Sequence, residues 1–193
     1  MRGVFMARQS EVDWFYKGGI AAFHPEAWER LLEPIAAVDR VGADVLEIYA
    51  ELLTDPDPAV HGPAAAAWTT SELMCVTARP GPAQEDVMEA PGETYTTARL
   101  EHHYFVHGAW LEEDQLLRGA TTLAAVPTVI VQDRCDMLTP PVAAYELQSA
   151  LPNARLEMID GAGHAFDGCG IVDALVRATD QFAHSGAEAS RVS

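Results

Sequence analysis

Val131-Gln132-Asp133-Arg134-Cys135-Asp136 and Gly161-Ala162-Gly163-His164 are the two stretches whose reading decides the fold of this chain. The first closes the run Val126-Pro127-Thr128-Val129-Ile130-Val131-Gln132, rich in β-branched residues, as expected for a strand buried on both faces. Ala154-Arg155-Leu156-Glu157-Met158-Ile159 reads as a second strand, and the glycine turn bearing His164 follows it directly. Between them Pro141 opens a helix through Leu147. From Gly170 to Phe182 a final helix turns Ile171, Leu175, Ala178 and Phe182 inward. Strand–helix–strand–helix with short loops is a right-handed parallel βαβ unit, so the fold class is α/β. An acid, Asp136, thus stands just past one strand, and a histidine, His164, just past the next.

Upstream the grammar is helical. Met1-Arg2-Gly3-Val4-Phe5 reads as the tail of a strand that has lost its beginning, and residues 10–54 carry helix signals. Pro25 opens Glu26-Ala27-Trp28-Glu29-Arg30-Leu31-Leu32, with Trp28, Leu31 and Leu32 on one face. Asp44-Val45-Leu46-Glu47-Ile48-Tyr49-Ala50-Glu51-Leu52-Leu53 is a second amphipathic run, stopped by Asp55-Pro56-Asp57-Pro58. Ala59 to Cys75 reads as a third helix. The prolines, glycines and acids between Ala78 and Gly92 predict a mobile loop, and order resumes from Tyr95 to Trp110. The expected organisation is a remnant strand at 1–5, a helical domain over 6–120, an α/β part over 121–184 and a flexible tail at 185–193.

Composition excludes some functions. Net charge is −17, from 12 Lys+Arg against 29 Asp+Glu. A nucleic-acid backbone or an anionic membrane needs clustered cations, so neither is an expected partner. No apolar run has the length of a secretory signal or a membrane span. Three widely spaced cysteines, Cys75, Cys135 and Cys169, with no C-x-x-C pair, suit a reduced, cytoplasmic setting. No metal is expected, since His102 and His103 are adjacent rather than at a ligating spacing.

The chain resembles the C-terminal portion of the proline iminopeptidases (prolyl aminopeptidases), serine peptidases of the α/β-hydrolase fold. The likeness runs through Arg2-Gly3-Val4-Phe5, Glu11-Val12-Asp13-Trp14-Phe15-Tyr16, Phe23-His24-Pro25-Glu26-Ala27-Trp28 and Ala67-Trp68. It continues through Glu101-His102-His103-Tyr104-Phe105, Asp114-Gln115-Leu116-Leu117-Arg118, the two segments quoted first, and Gly170-Ile171-Val172-Asp173-Ala174-Leu175 with Ala178-Thr179-Asp180-Gln181-Phe182. The resemblance implies a partial α/β-hydrolase fold, in which residues 6–120 are the helical cap and the N-terminal half of the sheet is absent. Three places depart from the family pattern. Thr139 replaces a frequent cysteine, Asp133 the usual glycine, and Gly168-Cys169 an acidic-proline turn.

By that resemblance Asp136 and His164 are the acid and base of a Ser…Asp…His triad, in that fold's chain order. Glu101 and Glu72 match cap acids that accept the free α-amino group of an N-terminal proline. Phe5 and Phe15, with Arg2 close by, fall where the family builds an apolar pocket for the proline ring. The implied reaction releases N-terminal proline from peptides through a serine ester, without a cofactor. The nucleophile is the missing part: none of Ser10, Ser71, Ser149, Ser185, Ser190 and Ser193 lies in a G-x-S-x-G elbow. Cys135 neighbours the acid on the same segment and should point away from the catalytic face. The expectation is therefore a portion inactive alone, lacking an N-terminal half or self-associating through the exposed sheet edge. Two other readings stand beside it: a non-catalytic binding or scaffold protein derived from the fold, and another α/β-hydrolase such as an esterase. A pair of carboxylates in the cap argues against the esterase, because a neutral ester has no use for them.

Overall fold

The computed structural model describes residues 1–40, 42–78, 91–168 and 170–189. The chain divides into two units. A helical unit takes in Phe5–Val76 and continues up to Gln115; a sheet unit takes in Met1–Val4, residues 77–78 and the described residues from Leu116 onward.

In the helical unit, α1 (Gln9–Tyr16), α2 (Pro25–Ala37), α3 (Val45–Thr54), α4 (Pro58–Val76) and α5 (Pro91–Val106) are set by local signals. The Glu11 carboxylate reaches back to accept from the N–H groups of Arg8, the N-cap of α1, and of Met6 just before it. Pro25 begins α2, where a missing N–H costs nothing. Asp44 caps α3 by accepting from Leu46 N–H at 2.9 Å and Glu47 N–H at 3.2 Å, and Asp57 accepts from Ala59 N–H at the start of α4. α4 packs against α2, α3 and α5. Its buried Ala64, Ala65 and Ala67 let the neighbouring backbones approach. Trp68 of α4 is fully buried, stacked on Tyr16 at 4.6 Å between ring centroids and meeting Tyr49 edge-on at 5.1 Å. The Tyr49 hydroxyl donates to Leu31 O, so this buried phenol is paired. α5 begins at Pro91, four residues ahead of the order expected from Tyr95. Of the loop expected over 78–92, residues 79–90 lie outside the described residues.

In the sheet unit, α6 (Gln115–Gly119) precedes β1 (Thr128–Asp133), α7 (Pro141–Ala150), β2 (Ala154–Ile159) and α8 (Ile171–Ala189). β1 and β2 are parallel, in register from Thr128 opposite Ala154 to Asp133 opposite Ile159. Every residue of β1 is buried, the apolar Val129-Ile130-Val131 and the polar Thr128, Gln132 and Asp133 alike. Val129 and Val131 pack with Ile171, Ala174 and Ala178 of α8. Ile130, on the other face by strand alternation, is fully buried, as are Ala143 and Ala144 of α7.

Two expectations change. The strand expected over 1–5 is a single parallel bridge, Arg2 with Val131. The Met1 ammonium donates to Val129 O and Val131 N–H donates to Met1 O, but Gly3 then takes φ +53° and turns the chain off the ladder. Of the flexible tail expected over 185–193, the residues up to Ala189 are helical, as part of α8; residues 190–193 lie outside the described residues. Among the described residues no helix is long and apolar enough to cross a membrane.

Candidate active site

Asp136 sits in the turn after β1 and is 3% exposed. A buried carboxylate must be fully paired, and this one is. Oδ1 accepts from Leu138 N–H at 3.1 Å and Thr139 N–H at 2.8 Å; Oδ2 accepts from the Thr139 hydroxyl and from Gln132 Nε2, both at 3.0 Å. Gln132, itself 1% exposed at the end of β1, spends its second Nε2 proton on Thr139 O and accepts Val4 N–H at 3.2 Å. Four hydrogen bonds thus hold the Asp136 carboxylate independently of the histidine.

His164 follows β2, and its Nδ1 lies 3.0 Å from Asp136 Oδ2, 3.1 Å from Oδ1 and 3.2 Å from Thr139 Oγ1. Two carboxylate oxygens around Nδ1 fix the tautomer: Nδ1 carries the proton and donates it, leaving the Nε2 lone pair free. The Arg2 guanidinium donates to His164 O from the other side of the loop. Gly3 passes over the ring so closely that a Cβ there would lie 3.1 Å from His164 Cε1. The imidazole is held by its acid, its own carbonyl and the chain above it. With a quarter of its side chain exposed, it can still take a proton at Nε2. An acid placed against Nδ1 in this way has the geometry by which an acyl-transfer triad orients its base. Cys135, next to the acid, is exposed and makes no part of the pair.

The helical unit holds a separate acidic cluster. Tyr16 of α1 donates its hydroxyl to Glu72 of α4 at 2.8 Å, Trp68 Nε1 donates to Glu101 Oε2 of α5 at 3.0 Å, and the two carboxyls hydrogen-bond each other. Glu72 is half-buried as a residue, but its carboxyl is enclosed by protein. Burial first, and the Glu101 charge second, push its pKa well above the ordinary glutamate value. Both causes favour the protonated form of the Glu72 carboxyl. Burial beside Glu72 raises the Tyr16 phenol as well. Next to Glu101 lies a cavity of about 410 Å³, walled by Phe5, Val12, Leu100, Tyr104 and Phe105 and apolar apart from Glu101. Phe5 meets Phe105 edge-on at 5.9 Å.

The residues singled out from sequence thus fall into two groups. Asp136, His164 and Arg2 meet in the sheet unit, with Arg2 on the histidine loop. In the helical unit Glu72 lies against Glu101, and Phe5 lines the cavity beside Glu101. Phe15 is 4% exposed and packs on Tyr16 at 4.9 Å without lining the cavity. Sequence reasoning missed the placing of Gln132, Tyr16, Trp68 and Phe105. Gln132 carried a readable signal: an amide at the buried end of an otherwise apolar strand needs polar partners. Tyr16 and Phe105 lay inside quoted motifs but showed no polar or apolar bias of their own. Among the described residues no group of three or more His, Cys, Asp or Glu is placed to hold a metal.

A parallel βαβ unit with acid and base at the carboxyl ends of its strands, joined to helices, is a partial α/β-hydrolase fold. No family model matches the chain. It is nevertheless a relative of the proline iminopeptidases, consistent with the C-terminal portion of such an enzyme. It is 39% identical over 187 residues to the proline iminopeptidase of Xanthomonas citri, covering 95% of this chain and 58% of that protein. A probable proline iminopeptidase of Leptolyngbya boryana is 37% identical over 188 residues, 94% of this chain and 56% of that one. The proline iminopeptidase of Arabidopsis thaliana is 36% identical over 184 residues, 94% and 48% of the two. The chain spans about half the length of the curated relatives it matches.

Proposed function

We propose that these residues provide the acid, the base and the amine-recognising carboxylates of a prolyl aminopeptidase, acting on peptides with a free N-terminal proline. The observation that carries the reading is the His164–Asp136 pair, whose carboxylate oxygens lie 3.1 and 3.0 Å from Nδ1, an arrangement that favours the proton on Nδ1 and leaves Nε2 as the base. Nε2 would take the proton of an attacking serine and return it to the leaving amine, while Asp136 stabilises the imidazolium. Because no serine here lies in a G-x-S-x-G elbow, the nucleophile and its oxyanion donors come from polypeptide outside these residues, and the chain alone turns over no substrate. Glu72 and Glu101 give a desolvated ammonium the carboxylate partners it requires, and the apolar cavity beside Glu101 suits a proline ring. A cytoplasmic setting belongs to the same reading, with Cys75 and Cys135 as free thiols.

The test supplies the missing part. The chain is assayed on a chromogenic proline anilide alone, and again joined to an N-terminal segment from a relative that carries the serine elbow. The joined form should be active and should lose activity in His164→Ala and Asp136→Asn. Glu101→Gln should impair free-amino substrates far more than N-acylated esters. Turnover by the chain alone, lost in His164→Ala, would overturn the account of the nucleophile. A joined form that folds and stays inactive would leave the amine site as a binding function without chemistry.

A further inference from the structure

We propose that Asp133 is a positioning residue: one buried carboxylate that buckles the acid loop to the histidine loop and thereby fixes the base. Asp133 is the last residue of β1 and is 1% exposed. Its Oδ1 accepts from Cys135 N–H at 2.7 Å, and its Oδ2 accepts from Ala162 N–H at 2.8 Å. Cys135 directly precedes Asp136, and Ala162 stands two residues before His164. Each oxygen therefore holds one of the two loops, through short charge-assisted bonds.

The histidine loop needs such an anchor. Ala162 lies between Gly161 at φ +91° and Gly163 at φ +74°, two positions with little backbone preference of their own. Its amide is tied to Asp133, and Arg2 holds the loop again at His164 O. Without the Asp133 bond, nothing among the described residues on the β2 side of the turn would hold its two glycines, and the setting of the imidazole against Asp136 would rest on Arg2 and Gly3 alone. A glycine at position 133, the residue the resembled family carries there, offers no side chain for either bond.

The inference concerns the His164–Asp136 pair and stands apart from the peptidase reading, so it is tested on the full chain without any substrate. In a sample with 15N-labelled histidine, NMR reads the His164 tautomer, and amide exchange reads Ala162. The parent chain should show a single Nδ1–H tautomer and a protected Ala162 amide. Asp133→Asn retains one acceptor and sets an NH₂ group against the other N–H. Exchange at Ala162 or Cys135 should rise by roughly tenfold or more, as expected for losing a charge-assisted bond. His164 should become a mixture of tautomers while β1, α7 and α8 keep their protection. Asp133→Gly provides the same readout should the asparagine variant fail to fold. Faster exchange with an unchanged His164 tautomer would reduce Asp133 to a structural role and overturn the proposal. Unchanged exchange at both amides would overturn it equally.

Discussion

Replacing Glu72 by glutamine isolates the buried proton of the helical unit. In the folded chain the Glu72 carboxyl is enclosed by Tyr16 of α1, Trp68 of α4 and Glu101 of α5, and its pKa lies well above the ordinary value of 4.5. In the unfolded chain it titrates near that ordinary value. Between the two, the native state holds a proton that the unfolded state has given up. Stability from this group is therefore complete below about 4.5 and falls as pH rises toward the folded value, by about 1.4 kcal/mol per pH unit. From pH 5 to 7 the loss reaches at most about 2.7 kcal/mol, a large part of a domain's net stability. The Glu72→Gln side chain keeps the geometry, since its carbonyl accepts from Tyr16 and its NH₂ donates to Glu101, but it has no proton to lose. His102, whose pKa burial lowers, works in the opposite sense near its own titration and is present in both proteins, so it cancels from their difference. Urea unfolding followed by tryptophan fluorescence at pH 5, 6 and 7 should show the parent losing stability relative to Glu72→Gln. Parallel curves would refute the reasoning, for they would mean that the folded pair carries no extra proton.

Trp68→Ala should destabilise the helical unit by about 3–5 kcal/mol in urea unfolding, since a fully buried indole leaves a cavity among Tyr16, Tyr49 and Phe105. A cost below about 1 kcal/mol would mean that the ring is not a keystone of that core. Gly3→Ala should cost about 1 kcal/mol or more, because φ is +53° and the new Cβ meets His164 Cε1 at 3.1 Å. Its His164 NMR signals should shift; a silent substitution on both counts would contradict the close approach. Thr139→Val should disturb His164 less than Asp136→Asn does, since Asp136 Oδ2 keeps Gln132 Nε2 when the threonine hydroxyl is gone. Histidine NMR spectra of the two variants check the order, and a larger change in Thr139→Val would reverse it.

What was legible from sequence follows the physics of each element. β1 could be read because a strand buried on both faces leaves a run such as Val129-Ile130-Val131, β2 because Leu156, Met158 and Ile159 recur in a short run just before a glycine turn, and proline punctuation marked α2 and α7 without reference to the rest of the chain. Asp136 and His164 could be placed for the same reason: their positions hang on strand ends, which periodicity locates. Residues 1–5 misled because Val4 and Phe5 have strand chemistry, while one glycine at positive φ decides where pairing stops. The partners of the site were hidden for a deeper reason. Tyr16 and Trp68 come from α1 and α4, and only packing tells which helical tyrosine and indole will meet Glu72 and Glu101. Asp133 shows the limit most sharply. From sequence it is a departure from a family glycine. Its meaning appears only when its two oxygens are found on amides far apart in the chain, Cys135 and Ala162, on the loops that carry the acid and the base.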